Sequence, residues 1–260
     1  LSNLTVDANG QSQGTYGGYD GITIADNAHL NLNTVTLSNS GQKGLSVSGN
    51  SEAHLRDTTV SGNGDGSDWS DAINVSQNSQ ISLRNSTIAS PKGNGLHLSY
   101  WSKADVSNSS IVSADPGDGS RPYAISLWRS RLSLNHDSNE NSNTITLTAP
   151  GHAIWAGGES EVSVNQALTL STTVVSQINI EEGSALYLND PRSAYTVGKV
   201  LAEVESEVRV RENARVTLTE VHLSKGSQLR LEGSTPTWDV TTITCWNQTT
   251  TSGQSIARPN

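Results

Sequence analysis

The side chains able to do chemistry in this chain crowd into three glycine-rich stretches and one tryptophan series. The stretches are Gly10–Asp20 (GQSQGTYGGYD), Ser61–Asp71 (SGNGDGSDWSD) and Ser113–Tyr123 (SADPGDGSRPY). They hold Tyr16, Tyr19, Asp20, Asp65, Asp68, Trp69, Asp71, Asp115, Asp118, Arg121 and Tyr123. Flat aromatic faces beside carboxylates suit a sugar ring, which needs a surface to stack on and partners for its hydroxyls. The plainer alternative is a set of solvated turns, since Gly, Asp, Asn and Pro are ordinary turn residues. Turns alone give no reason for Tyr and Trp at exposed loop positions.

Trp101, Trp128 and Trp155 follow one another at intervals of 27 residues. Lys103, Arg129 and Arg131 lie beside them. In a repeating chain this spacing predicts a vertical aromatic ladder along one edge, flanked by cations. It would be either a ligand surface or a stack that seals a corner.

Catalysis and metal binding have less support. Paired carboxyl groups cleave glycosidic bonds at separations of roughly 5–5.5 Å or roughly 6.5–9.5 Å. Asp65, Asp68 and Asp71, or Asp115 and Asp118, could meet such spacings, but they fall on loops. No Asp-Asp pair and no Gly-His-Gly occurs. The six His residues are scattered, with His29 and His54 expected to stack as an outward ladder. Asp65-Gly66-Ser67-Asp68 resembles part of a calcium loop but lacks the full spacing. Cys245 is the single cysteine, which excludes an internal disulfide. We therefore expect no catalytic residue, no metal and no cofactor. A net charge of −9 argues against nucleic acid as a partner.

These residues must be positioned by a repeated element. A small residue, then Ile or Leu, a variable residue and another apolar residue recur along the chain. Examples are Gly21-Ile22-Thr23-Ile24, Gly44-Leu45-Ser46-Val47 and Ala72-Ile73-Asn74-Val75. Gly95-Leu96-His97-Leu98, Ala124-Ile125-Ser126-Leu127 and Ala153-Ile154-Trp155-Ala156 continue the series. Each is followed by a second alternating run, such as Gln80-Ile81-Ser82-Leu83, and a shorter third, such as Thr87-Ile88. Strict alternation is the period of a strand with one buried face. Three short strands per unit predict the coils of a parallel β-helix, in which no unit buries its apolar side chains alone. The three stretches occupy the same place in the repeat and should project from one edge.

Composition agrees with a narrow core. The chain has 260 residues, 33% hydrophobic, with no Phe and no Met. No apolar run approaches the roughly 18–20 residues of a membrane span. Residue 1 already lies within the repeat pattern, which predicts a fragment of a longer protein. After residue 172 the outward positions become charged with both signs. Residues 1–195 hold 18 acidic and 9 basic residues, whereas 196–260 hold 7 of each. The second part is expected to pair its charges internally. The predicted division is a β-helix over 1–233 and a cap or weakly ordered tail over 234–260.

Runs such as GLSVSGNSEAHLRDTTVSGNG and AINVSQNSQISLRNSTIAS resemble the passenger domains of pertactin-like and AIDA-type autotransporters. The near-absence of Cys is similar too, and Thr237-Trp238-Asp239-Val240 resembles the start of that family's C-terminal stabilising region. The resemblance implies an all-β fold, a right-handed three-stranded parallel β-helix. It also implies display outside Gram-negative bacteria through a membrane translocator that is absent from this chain. The implied role is a non-catalytic adhesin. Its partners would be host glycans, glycosaminoglycans among them, matrix protein or sister cells. Contact would fall on the loop-built face and on Trp101, Lys103, Trp128, Arg129 and Trp155. The rival expectations are a polysaccharide lyase or hydrolase, with phage tailspikes in the same class, and a purely structural stalk.

Overall fold

The computed structural model describes residues 2–7, 20–38, 40–61, 71–90, 92–114, 122–135, 145–172, 177–189, 194–211, 214–232 and 239–246. All regular structure among them is β-strand. Every strand pairing is parallel and joins one coil to the next.

The strands form three faces. The first carries ten strands: Ile22–Ile24, Leu45–Val47, Ile73–Val75, Leu96–Ser99, Ile125–Trp128, Ile154–Gly157, Ile178–Ile180, Tyr195–Ala202, Val216–Ser224 and Asp239–Trp246. The second runs from the first half of His29–Ser38 through Glu52–Arg56, Gln80–Arg84, Lys103–Ser107, Arg131–Leu134 and Glu161–Val164. It ends at Ala185–Leu188, Glu207–Val210 and Gln228–Leu231. The third begins at Ser2–Asp7, which pairs with the second half of His29–Ser38, and continues through Thr59–Ser61, Thr87–Ser90, Ser110–Ser113, Ile145–Ala149 and Leu168–Thr172. Stacking coils in this way completes each strand's backbone hydrogen bonds, at about 4.8 Å per coil.

The apolar positions predicted from alternation are the ones that stack. Leu45, Ile73, Leu96, Ile125 and Ile154 form one register column and are fully buried. The small residue before each first-face strand sits where space is short. A Cβ on Gly21 would lie 2.7 Å from the Gly44 carbonyl oxygen, and one on Gly95 would lie 2.4 Å from Ile111. Both contacts are too close, so glycine is required there.

Two polar columns accompany the apolar ones. One serine stands just before each second-face strand from Glu52–Arg56 onward, and all of these serines are buried. The Oγ of Ser79 accepts from the Ser51 amide at 3.1 Å, that of Ser160 from Ser130 at 3.1 Å, and that of Ser184 from Ser160 at 3.1 Å. On the outside, Asn135 donates to Asp105, Asn165 to Asn135 and Asn189 to Asn165, at 2.6–3.0 Å. Aligned side chains of one type thus satisfy one another from coil to coil.

After Thr172 the third-face series gives way to longer first-face strands. The eight-residue Tyr195–Ala202 and nine-residue Val216–Ser224 turn through the former corner. Here the charged outward residues do pair: Arg209 with Glu232 at 2.9 Å, Arg230 with Glu207 at 3.1 Å, and Lys199 with Glu220 at 3.5 Å. His222 also bonds Glu220. Asp239–Trp246 pairs parallel with Val216–Ser224, so the stacking continues past residue 233.

His29 and His54 do not stack. His29 is in register with Glu52, and His54 with Asn31. Both imidazoles meet the Glu52 carboxylate instead, at 3.2 and 3.1 Å.

Candidate functional site

The first face carries a group of stacked aromatic side chains. Its strands alternate inward and outward, and the outward residue of each forms a column: Asn74, His97, Ser126, Trp155 and Asn179. Two residues ahead of each strand lies a second column: Asp20, Lys43, Asp71, Asn94, Tyr123 and His152. Its members clasp the next coil. The Lys43 amide donates to Asp20 at 3.2 Å, the Asn94 amide to Asp71 at 3.0 Å, and the Tyr123 amide to the Asn94 side chain at 2.8 Å.

Across this face four rings lie nearly parallel. Tyr123 and His152 have centroids 5.9 Å apart and planes 15° apart. Tyr123 and Trp155 are 5.9 Å and 12° apart, and Trp155 and Trp128 are 6.2 Å and 5° apart. All four are half-buried. Tyr123 and Trp128 bracket their own strand, and Trp155 comes from the next coil to lie between them. Ser126, the outward residue beneath, is only 4% exposed, while its Oγ contacts His97 Nδ1 at 3.3 Å. The Arg129 guanidinium lies over the Trp128 ring, 5.9 Å from its centroid.

Two glycines make room for the indoles. A Cβ on Gly157 would come within 2.9 Å of Trp155 Cη2 and 3.2 Å of Trp128 Cζ3. One on Gly158 would come within 3.1 Å of Trp128 Cδ2 and Cε2. Trp128 therefore lies directly against the Gly157–Gly158 backbone of the next coil.

The 27-residue ladder takes a different form from the vertical one expected. Neighbouring first-face strands are 29 residues apart here, Leu96 to Ile125 to Ile154. A step of 27 therefore slips two residues per coil. Trp128 is in register with Gly157 and Ser99, and Trp155 with Ser126. The slip keeps side chains on the same side of the strand, because the period is two. The row is oblique, and Trp101 falls beyond it, in the turn that follows the strand.

Trp101 is 62% exposed and Tyr100 is 50% exposed; they are the large exposed hydrophobics among the described residues. Both have left-handed backbone, with φ of 63° and 53°. The equivalent turns of other coils use Asp26-Asn27, Gly49-Asn50, Gln77-Asn78, Gly158-Glu159, Glu182-Gly183, Val204-Glu205 and Lys225-Gly226. Short polar residues and glycine tolerate that conformation, and bulky aromatics rarely adopt it. In the next coil Arg129 alone spans this corner, one residue shorter, with φ of 49°. The Tyr100 amide donates to the Trp128 carbonyl at 3.1 Å and the Trp101 amide to the Arg129 carbonyl at 2.6 Å.

The remaining expected site residues are accounted for as follows. Lys103 is exposed at the start of its second-face strand, in register with Arg131, and Arg131 meets Glu161 at 3.6 Å. Asp20 and Asp71 belong to the clasping column. Tyr16, Tyr19, Asp65, Asp68, Trp69, Asp115, Asp118 and Arg121 lie outside the described residues. Asp20, Asp71 and Tyr123, the last residues of the three stretches, share the clasping column. His152, absent from the expected set, joins the row because it stands one coil after Tyr123. The repeat position was legible in the sequence, and the shared column is the signal that would have found it.

Electrostatics single out one pair. Burial raises the pKa of Asp71, partly offset by the attraction of His97. Burial lowers that of His97, partly offset by Asp71. Tyr123 is raised by burial and by Glu181 nearby. Among the described residues, no group of three or more His, Cys, Asp or Glu is placed to hold a metal ion.

Parallel coils of three short strands over the first part of the chain correspond to a family whose model, a right handed beta helix region, matches residues 1–167. The chain belongs to this family. No curated protein and no solved structure gives a match. Right-handed β-helices occur among both enzymes and non-enzymes. In this β-helix the rings gather on the outside of the first face, on coils that the family match covers.

Proposed function

We propose that this β-helix is a non-catalytic adhesin module displayed outside a Gram-negative cell, and that its aromatic row binds glycans. The observation that carries the reading is the oblique row of Tyr123, Trp155 and Trp128. Its parallel rings are half-exposed on a rigid sheet face, and side chains fixed by a scaffold bind with little ordering cost. Sugar rings stack on such faces through their C–H groups, and the adjoining half-buried His97 and exposed Arg129 offer partners for hydroxyls. The repeat texture and near-absence of Cys support export through a translocator outside this chain.

A polysaccharide-cleaving enzyme is the competing reading. Its best support is Asp71 beside His97, with the acid's pKa raised and the imidazole's lowered by burial, as in acid–base pairs. Asp71, however, accepts the Asn94 amide in the same way that Asp20 accepts that of Lys43. That repeated bond favours a structural clasp over a catalytic acid.

Incubating the protein with a panel of polysaccharides separates the two. Retention of a glycan without new reducing ends or unsaturated products supports the adhesin. Product formation that disappears in Asp71→Asn contradicts it.

A further inference from the structure

We infer that the ligand is an acidic polysaccharide, and that its carboxylate or sulfate sits at the corner where Trp101 meets Arg129. The inference rests on the glycan-binding reading of the aromatic row and specifies its ligand class. Three observations lead to it. Tyr100 and Trp101 hold left-handed backbone at a turn that other coils build from Asn, Asp, Gln and Gly together with Glu159, Glu182, Val204, Glu205 and Lys225; they are the aromatic residues in this series, and both are at least 50% exposed. Strain of this kind at exposed aromatics points to a use other than packing.

The second observation is the charge at that corner. Arg129 is exposed and rests on the Trp128 ring, and among the described residues no carboxylate pairs with it. Lys103 is likewise exposed and without an ion-pair partner among the described residues, four residues after Ser99, the register partner of Trp128. These cations stand in a chain whose first 195 residues carry twice as many acids as bases. A planar guanidinium against an aromatic face is suited to a carboxylate or sulfate on a stacked sugar.

The third is the change of sign along the corner. The two following turns carry Glu159 and Glu182, both exposed. A polyanion is therefore attracted at Arg129 and repelled one coil further on. That places its acidic group on the Trp101 side of the row.

The test uses glycan pairs matched except for charge: polygalacturonate with its methyl ester, chondroitin sulfate with desulfated chondroitin, and sialylated oligosaccharides with their asialo forms. The expected result is that an acidic member binds about tenfold or more tighter than its neutral partner, and that added salt erodes this advantage. Arg129→Gln should weaken the acidic member much more than the neutral one, so that the two bind alike. Trp101→Ala should weaken both members. Unfolding curves confirm that each variant is folded. Equal binding of acidic and neutral members, with loss in Trp128→Ala/Trp155→Ala, overturns the inference and leaves the glycan reading standing. Binding to no member of any pair overturns both.

Discussion

Trp128 and Trp155 lie with ring planes 5° apart and centroids 6.2 Å apart, although they belong to adjacent coils and occupy different register positions. What allows this is the backbone beneath them. Gly157, in register with Trp128, presents hydrogen where any other residue would present a side chain.

Gly157→Ala therefore separates the two indoles. Its methyl group would sit 2.9 Å from one ring and 3.2 Å from the other, so the rings must shift. Because both are half-exposed, they move outward at less than the usual overpacking cost of about 1–3 kcal/mol. The expected outcome is altered near-ultraviolet circular dichroism and tryptophan emission, weakened glycan binding and a small change in stability. An unchanged aromatic spectrum would mean that the indoles do not meet over Gly157.

Trp101→Asn relieves a left-handed conformation that the indole occupies under strain. Strain of this type costs about 1–3 kcal/mol, and a side chain exposed as much as Trp101 returns little in packing. The variant should unfold about 1 kcal/mol later in a urea titration while binding glycan more weakly. A loss of stability would show that Trp101 is held by contacts of structural value.

Asp71 and His97 make stability depend on pH in opposite directions. Asp71 has a raised pKa, so its contribution is full below the ordinary 3.8 and is lost as pH rises through the raised value. His97 has a lowered pKa, so its contribution is full above the ordinary 6.5 and is lost as pH falls through the lowered value. Asp71→Asn keeps an acceptor for the Asn94 amide and removes the buried charge. Its melting temperature should exceed that of the parent at neutral pH, and the gap should close toward about pH 4. His97→Gln should blunt the loss of stability on acidification below 6.5. A lower melting temperature for Asp71→Asn at neutral pH would contradict this assignment.

Ser160→Ala tests the buried serine column. The Ser160 hydroxyl accepts from the Ser130 amide at 3.1 Å and donates to the Gly157 carbonyl at 2.6 Å. Its loss leaves a buried amide unpartnered, which costs about 1–3 kcal/mol. The Gly157 carbonyl belongs to the same corner, so aromatic spectra should change along with the unfolding midpoint.

Much of the fold was legible because its signal is repeated. Leu45, Ile73, Leu96, Ile125 and Ile154 declare one inward column through alternation alone, and all are buried. The serine column repeats as faithfully, but serine is also an ordinary turn residue, so its buried role was hidden. The site was less legible because it depends on register rather than periodicity. An interval of 27 predicts a vertical stack, whereas coils 29 residues long make it an oblique one. Trp101 thereby left the row, and Tyr123 and His152 joined Trp128 and Trp155 in it. His29 and His54 failed for the same reason, since a slip of two residues placed Glu52 between them.

The most direct test of the glycan-binding assignment is calorimetric titration of a panel-selected glycan into the parent protein and into Trp128→Ala/Trp155→Ala, with the recovered glycan analysed for cleavage. The expected result is saturable binding of intact glycan by the parent, weakened at least about tenfold in the double variant. Undiminished binding in a folded double variant, or recovery of shortened glycan from the parent, would contradict it.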